Sequence, residues 1–383
     1  MLNEDDSVPD LPQDEGVQPP MRTISPVGEP VFLGSDRLSF IQVAGLHSVF
    51  VRSYNSLSVM INETFEISEL TSDGDTDDIS PDGCWRVRQL EVNTVSKNLE
   101  ILEQGGATSS SIRIQPASEG IGEKAHYTWR GCCFSHDSKY LMSIVRSRDY
   151  EAKSMRVELR KNEKGWTLVD QIDIPDPKPG QCDCTLDRSP VEGLAILKLE
   201  GNWSSHIWWV SLNDGRLSIR SAFTSDGAYP VSMGPVFSPD GSKYLLGNGN
   251  FDLNIGLFEF SSGELVGAVE WPGKRPGRVL RCLESAIFID SELVIIRTRE
   301  GRMFQLDTEK LKFISELQLQ DRPAELSSSE SFKGCTDLVD WVWFNDNLLT
   351  FHKVPNGTEL LICSRDKLIG TNSASTKVDK LNR

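Results

Sequence analysis

The chain has 383 residues, of which 38% are hydrophobic and 25% are charged, and its formal net charge is −16. A main role in binding nucleic acid needs a cationic surface that neutralises phosphates, so this charge balance argues against that class of ligand. No apolar segment approaches the ~20 residues that span a bilayer. The acidic N-terminus also lacks the basic start and apolar stretch of a secretory signal. We therefore expect a cytoplasmic or nuclear protein without a membrane segment.

The first residues of the chain differ in composition from the rest. Residues 1–20 are acidic and low in aromatic content, so they cannot bury enough apolar surface to offset the entropy of ordering. We predict that residues 1–20 form a disordered acidic N-terminal segment.

The strongest sequence signal after that segment is an internal repeat. Three related segments begin at Ile79 (ISPDGCWRVRQL), Phe134 (FSHDSKYLMSIV) and Phe237 (FSPDGSKYLLGNG). Each has the pattern of a strand, a tight turn and a second strand, because Asp bonds to the turn backbone and Gly adopts a positive φ. The three starts are 55 and 103 residues apart, which indicates a unit of about 52 residues.

Steps of that length locate four weaker copies of the hairpin. They are FLGSDRLSFIQV from Phe32, TLDRSPVEGLAILKL near residue 186, FIDSELVIIRT from Phe288 and FNDNLLTFHKV from Phe344. Seven copies thus begin near residues 32, 79, 134, 186, 237, 288 and 344. In the clearest units two further short strands follow, such as NIGLFEF and ELVGAVEW in the fifth.

Four short strands repeated about every 50 residues are typical of propeller blades. We predict an all-β fold: a single seven-bladed β-propeller of four-stranded antiparallel blades over residues 21–369. Residues 370–383 are polar and are predicted to form a flexible C-terminal tail.

The stretch FSPDGSKYLLGNGN, followed by NIGLFEFSSGELVGAV, resembles a WD repeat. The positions of the eponymous Trp-Asp pair hold Phe258-Glu259 in this unit, and Gln305-Leu306 lies near the same place in the next. No unit has the Gly-His pair that opens the standard repeat. The resemblance covers about residues 30–365 and implies a propeller that acts as an interaction scaffold. Lactonase-like propellers share the Ser-Pro-Asp-Gly hairpin.

Ring closure is a requirement of this fold, because an open edge in the last blade invites pairing with other chains. The WD-repeat family closes its ring with an N-terminal strand. The candidate for that strand here is MRTISPVG from Met21, whose prolines are tolerated at a sheet edge.

Metal and cofactor sites are weakly indicated. The loop TSDGDTDD places Asp73, Asp75 and Asp77 at alternate positions, but Asp78 and Cys84 stand where a calcium loop needs Gly and Glu. The eight cysteines form no CxxC pair; Cys182 and Cys184 share a strand face without a second pair nearby. We predict a solvated acidic turn, buried thiols, and neither a metal nor a cofactor.

Two loops are the candidate partner-binding sites. The basic loop PGKRPGRVLR supplies Lys274, Arg275 and Arg278, and the loop GNWSS supplies Trp203. In a ring of seven the basic loop would lie nearly opposite the acidic TSDGDTDD loop, so the rim could orient a charged partner. An exposed tryptophan on such a rim is a plausible hot spot.

The sequence leaves two functional interpretations. The first, which we favour, is a non-catalytic, monomeric scaffold that binds a protein or peptide partner through its rim loops. The chain has no GxSxG or HExxH motif, and none of its five histidines has a recognisable nucleophile context. The alternative is a propeller enzyme, such as a lactonase-like hydrolase, with Asp183, Asp290 and Asp340 facing the central channel.

The closure scheme predicts the effect of a truncation. Deletion of residues 1–30 is expected to lower the melting temperature, because it removes the strand that protects the edge of the last blade. Thermal denaturation followed by circular dichroism measures this, and an unchanged melting curve would contradict the scheme.

Overall fold

A computed structural model describes most of the chain. It describes residues 19–34, 38–44, 48–53, 57–71, 78–91, 97–103, 111–115, 127–147, 154–163, 165–176, 183–201, 204–226, 231–248, 255–269, 283–298, 302–320, 338–354 and 357–370.

Within these residues the strands form seven sheets, six of four strands and one of five. Two N-terminal strands, β1 (Met21–Ile24) and β2 (Val31–Gly34), join the last two sheets. The first sheet contains β3 (Leu38–Ala44), β4 (Ser48–Ser53), β5 (Leu57–Asn62) and β6 (Ile67–Thr71). The second contains β7 (Asp78–Ile79), β8 (Trp85–Glu91), β9 (Lys97–Glu103) and β10 (Ser111–Ile114).

The next three sheets have the same order along the chain. The third contains β11 (Tyr127–Phe134), β12 (Tyr140–Ser147), β13 (Ser154–Lys161) and β14 (Thr167–Pro175). The fourth contains β15 (Asp183–Arg188), β16 (Leu194–Gly201), β17 (Ser204–Asn213) and β18 (Arg216–Asp226). The fifth contains β19 (Val231–Phe237), β20 (Lys243–Asn248), β21 (Ile255–Glu259) and β22 (Leu265–Val269).

The last two sheets are completed by the N-terminal strands. The sixth contains β23 (Leu283–Phe288), β24 (Leu293–Thr298), β25 (Met303–Asp307) and β26 (Lys312–Leu319), with β1 as a fifth strand beyond β26. The seventh contains β27 (Leu338–Phe344), β28 (Asn347–Val354) and β29 (Gly357–Ser364), with β2 beyond β29.

These sheets are the antiparallel blades of a β-propeller, as the sequence predicts. The prediction of seven four-stranded blades is confirmed for six: in the described residues six sheets have four strands, and the sixth sheet along the chain takes β1 as a fifth strand. This extra strand pairs parallel to β26, whereas the consecutive strands of each sheet pair antiparallel.

Each sheet packs against the next through a cluster of buried apolar side chains. Val87 and Leu141 share a cluster between the second and third sheets, and Leu197 and Met142 share one between the third and fourth. Clusters also lie between the other consecutive sheets, and the smallest contains Phe50 and Ile79, between the first and second sheets. A cluster containing Val49 and Leu349 joins the first sheet to the seventh. The buried core is therefore distributed between sheets around the whole series.

The hairpin between the first two strands of a sheet has a recurring hydrogen-bond pattern. In the third sheet the Ser135 hydroxyl donates to Asp137 at 2.6 Å and accepts from the Tyr140 N–H at 3.0 Å. The same pair of bonds forms around Ser80 in the second sheet and Ser238 in the fifth. The three segments that carry the sequence repeat therefore form the same type of turn.

The predicted hairpins coincide with strand pairs at six of the seven positions. The exception is the first copy, because the FLG segment from Phe32 is β2 and pairs with β29 rather than with the strand that follows it. The first hairpin instead joins β3 to β4, about ten residues further on. A short apolar run followed by Ser and Asp imitates the repeat locally, while its partner strand is more than 300 residues away.

The N-terminus closes the last sheet, but with a different segment from the one predicted. β2 pairs antiparallel with β29 and covers the edge of the seventh sheet, while the segment from Met21 forms β1 on the sixth. β1 is held firmly, because Ile24 is 2% exposed within the core cluster of the sixth and seventh sheets. The Gln320 N–H also donates to the Ile24 carbonyl at 2.7 Å.

A short helix that the sequence analysis did not predict follows the last strand. This helix, α1 (Arg365–Ile369), places Leu368 in the core cluster of the sixth and seventh sheets. The Arg22 guanidinium donates to the Leu368 carbonyl, and the Lys367 ammonium donates to the Ser25 carbonyl at 3.0 Å. None of the described helical residues forms a helix long and apolar enough to cross a membrane.

The recurring hairpin yields a stability prediction. Ser135→Ala is expected to lower the free energy of unfolding by about 1–3 kcal/mol, because it removes the acceptor of the Tyr140 N–H and the donor to Asp137 in a turn where Ser135 itself is buried. Urea denaturation measures the change. Ser154→Ala, at an exposed position of β13, is the matched control. An equal loss in both variants would contradict a specific role for the hairpin serine.

Candidate functional site

The hairpins that follow the first strands lie side by side and form one rim of the propeller. The Asp82 N–H of the second sheet donates to the Ser138 hydroxyl of the third at 3.1 Å. In the next pair of hairpins, the His136 Nε2 lies 2.6 Å from the Ser189 carbonyl oxygen. Burial lowers the pKa of His136. This histidine therefore links two neighbouring hairpins.

A cavity of about 840 Å³ opens at this rim. Its walls come from the first strands of four consecutive sheets, β15, β19, β23 and β27, with the hairpins that follow them and with α1. The first strands lie innermost in the propeller, where β11 contacts β15 and β19 contacts β23. The cavity is therefore the mouth of the central channel on the hairpin side; we call it the mouth cavity.

The mouth cavity extends outward between the fourth and fifth sheets. Ile196 and Lys198 of β16, which is a second strand, reach its wall. Opposite them β19 is irregular, with register shifts between Val231 and Met233 and again before Val236. Gly234 has a φ of +105°, and a Cβ atom there would lie 2.5 Å from the Leu245 carbonyl oxygen. Only glycine fits this backbone path, which shapes one wall of the cavity.

Apolar side chains form most of the inner wall. Val236 and Phe237 come from β19, Ile287 and Phe288 come from β23, and Trp343 comes from β27. Ile287 and Trp343 are half-buried and also pack against the core cluster of the sixth and seventh sheets. The wall is therefore built on rigid strands rather than on loops, and it presents apolar surface to whatever enters the channel mouth.

Four aspartates line the mouth cavity, and two of them, Asp240 and Asp290, are engaged in the hairpin turns; the other two are Asp187 and Asp346. The Asp240 Oδ1 accepts from the Ser238 hydroxyl at 2.6 Å and from the Ser242 N–H at 3.1 Å. The hydrogen bond from Ser238 is the main cause of the lowered pKa of Asp240. The Asp290 Oδ1 likewise accepts from two backbone N–H groups of its own turn, at 2.8 and 3.0 Å. These carboxylates thus stabilise hairpins while they line the cavity.

The side-chain contacts of Arg188 and Arg365 with protein oxygen atoms are longer than the hydrogen bonds that Asp240 and Asp290 accept in their turns. The Arg365 Nη2 donates to the Asp290 Oδ2 at 3.2 Å, and the side chain of Arg365 is 40% exposed. The Arg188 Nη1 lies 3.4 Å from the Phe134 carbonyl and 3.9 Å from Asp78. The two guanidinium groups therefore approach the cavity from the end of β15 and from the start of α1.

The partner-binding residues predicted from the sequence are not tested by this arrangement. Trp203, Lys274, Arg275 and Arg278 lie outside the described residues, as do Asp73, Asp75, Asp77 and Cys182. Among the residues described, no group of three or more His, Cys, Asp or Glu side chains is placed to hold a metal ion.

The three acids named for the enzyme alternative do not share one end of the channel. Asp290 follows β23 and lines the mouth cavity, whereas Asp340 lies near the start of β27, at the other end of the strands. Burial raises the pKa of Asp340, and its Oδ1 accepts from the Trp341 N–H at 2.8 Å. Asp183 starts β15, and its side chain lies outside the part of the structure that is described.

Two arginines that line the mouth cavity, Arg188 and Arg365, were not predicted from the sequence as site residues. Arg188 and Arg365 lie 177 positions apart in the sequence, so no local motif joins them. The one available signal was the Gly234-Pro235 pair inside a strand pattern, which marks an irregular strand. Comparison with protein-family models and with curated proteins finds no match for this chain.

The Asp240 turn predicts a pH dependence. A carboxyl group with a lowered folded-state pKa contributes stability above its unfolded-state pKa, and this contribution is lost as the pH falls through the folded value. Asp240→Asn is therefore expected to reduce the fall in melting temperature between about pH 6 and about pH 2.5. Glu264→Gln, at an exposed position, is the control. Identical pH profiles for the parent and Asp240→Asn would show that the hydrogen bonds of this turn do not favour the charged carboxylate.

Proposed function

We propose that the chain is a non-catalytic scaffold that holds a protein or peptide partner at the mouth cavity and the neighbouring rim loops. The observation that carries the proposal is a cavity of about 840 Å³ with apolar walls on rigid strands and charged groups at its edge. Cavities of roughly 300–1,000 Å³ are typical of sites that bury a drug-sized ligand, so this cavity can receive a few side chains of a bound peptide. Under this proposal the protein is a WD-repeat-like interaction module of the cytoplasm or nucleus and acts as a monomer.

The proposal includes the count of blades. We propose that the sixth sheet is a four-stranded blade to which β1 is added at the outer edge, so that all seven sheets act as blades of one ring. The buried clusters between consecutive sheets support this interpretation, since the cluster with Val49 and Leu349 connects the seventh sheet back to the first. A seven-bladed ring places β15, β19, β23 and β27 next to one another around just over half of the channel mouth.

The engagement of Asp240 and Asp290 in their turns favours a scaffold over the propeller enzyme. A general acid or base needs a carboxyl group that can exchange its proton with a substrate. The Asp240 and Asp290 carboxylates instead accept several hydrogen bonds from their own turns, and Asp290 also pairs with Arg365. These bonds engage both carboxyl groups in their own turns, which suits a recognition surface better than acid–base chemistry.

Filling the mouth cavity should weaken the binding of a peptide partner. Ile287→Trp enlarges a half-buried side chain in the apolar wall, so a peptide selected against the full-length chain from a phage-displayed library of short random peptides should bind at least about tenfold more weakly. Fluorescence anisotropy with the labelled peptide measures the dissociation constant.

The control for this experiment is Ile314→Trp, an equal enlargement at an exposed position of β26. It should leave the affinity unchanged, and melting temperatures of both variants report whether each is folded. If Ile314→Trp and Ile287→Trp bind the peptide as the parent does, the partner does not occupy the mouth cavity and the proposal is wrong.

A further inference from the structure

We propose that the N-terminal segment, residues 20–27, positions α1 and thereby the wall of the mouth cavity at the junction of the sixth and seventh sheets. Arg22 is the positioning residue. This inference rests on the proposed function and adds a regulation of the same site: the cavity binds its partner with full affinity only while the N-terminal segment is docked. The two sites lie apart, because β1 is the outermost strand of the sixth sheet and the cavity lies at the channel.

The start of α1 joins two turns that line the mouth cavity. Arg365 lines the cavity together with Asp290, in the turn after β23, and Asp346, in the turn after β27. The Arg365 N–H donates to the Asp346 carbonyl at 3.0 Å, and its Nη2 donates to the Asp290 Oδ2 at 3.2 Å. One residue of α1 therefore connects the lining turns of two sheets, so a displacement of α1 changes this wall of the cavity.

The other end of α1 is bound to the N-terminal segment. The Arg22 guanidinium donates to the Lys367 carbonyl at 3.3 Å and also to the Leu368 carbonyl. In the opposite direction, the Lys367 ammonium donates to the Ser25 and Pro26 carbonyls at 3.0 and 3.1 Å. The last carbonyl groups of a helix have no acceptor role within the helix, and Arg22 supplies the donors that they need.

α1 is too short to keep its conformation without such contacts. It has five residues, and isolated helices shorter than about 12–15 residues are marginal in water. Leu368 is fully buried and shares a core cluster with Ile24 of β1, and its carbonyl also accepts from the Gln305 side chain at 2.5 Å. Because α1 is little more than one turn, loss of the bonds at its end should also loosen Arg365 at its start.

The N-terminal segment is in turn anchored to both sheets that flank α1. The Val27 N–H donates to the Ile362 carbonyl of β29 at 2.7 Å, and the Ile24 carbonyl accepts from the Gln320 N–H that follows β26. Docking of the segment and placement of α1 therefore depend on the same junction. A partner that binds only the docked arrangement must also stabilise the docked segment, because coupling between two sites is reciprocal.

The first test measures α1 in the full-length chain without a ligand. Arg22→Met removes the donors to the end of α1 but keeps an unbranched side chain on β1. Amide hydrogen exchange in residues 365–370, followed by mass spectrometry, should become at least about tenfold faster, while exchange in β12 of the third sheet stays unchanged. The matched control is Arg113→Met, the same change on β10, the outermost strand of the second sheet, where the side chain is 70% exposed. It should leave exchange in α1 unchanged.

The second test measures the partner site. Its probe is a peptide selected against the full-length chain from a phage-displayed library of short random peptides, with binding that is lost in Ile287→Trp. Arg22→Met should bind this peptide at least about fivefold more weakly, and Arg113→Met should bind it as the parent does. Reciprocally, a saturating concentration of the peptide should slow exchange in residues 21–27 of the parent, which lie apart from the residues that line the mouth cavity.

Each outcome decides a different part of the inference. Unchanged exchange in α1 of Arg22→Met would overturn it, and so would an equal acceleration in α1 and β12, which indicates general destabilisation. Faster exchange in α1 with unchanged peptide affinity would overturn the coupling while leaving peptide binding at the mouth cavity intact. Failure to obtain any peptide that depends on Ile287 would overturn the proposed function, and the coupling to a partner with it.

Discussion

The structure depends on apolar packing between neighbouring sheets. A four-stranded sheet of this size has two faces and cannot bury either one alone, so each sheet is stable only between two others. β17 illustrates this, because its adjacent residues Trp208 and Trp209 point to opposite faces and pack in different clusters. Trp208 lies towards the third sheet, and Trp209 lies towards the fifth, where it contacts Phe237 and Tyr244 edge to face.

This need for a neighbour on both faces explains where the N-terminal strands and α1 pack. A series of sheets that all need two neighbours must not end in an incomplete one, and the last sheet receives only three consecutive strands from the C-terminal part of the chain. β2 supplies the fourth, and β1 inserts Ile24 between the sixth and seventh sheets. α1 holds the N-terminal segment in place, because Lys367 and Leu368 form hydrogen bonds with it. Arg365, at the start of the same helix, lines the mouth cavity. Closure and the candidate binding site therefore share one short helix.

The hairpins could be predicted from the sequence because their information is local. The Ser-x-Asp turn around Ser135 forms its hydrogen bonds within five residues, so the same letters specify the same structure wherever they recur. The roles of β1 and β2 could not be predicted in this way. Their partners are β26 and β29, nearly 300 and more than 300 residues away, and a short apolar run with Ser and Asp beside it fits either a hairpin or an edge strand.

The mouth cavity was harder to predict for a related reason. Its existence depends on an irregular strand, β19, and on the spacing between the fourth and fifth sheets, neither of which hydrophobic periodicity encodes. The Arg365–Asp290 pair joins residues 75 positions apart, and it forms only after the last strand and α1 have docked. The enzyme alternative derived from the sequence placed Asp290 at the channel, but it grouped this residue with Asp340, which lies at the opposite end of the strands.

The most direct test of the account is hydrogen–deuterium exchange of the full-length chain with and without a saturating peptide selected at the mouth cavity. Binding at this site predicts slower exchange in the hairpins that follow β15, β19 and β23 and in α1, with the outer strands β14 and β22 unchanged. Protection confined to outer strands, or to residues remote from these hairpins, would contradict the assignment of the mouth cavity as the binding site.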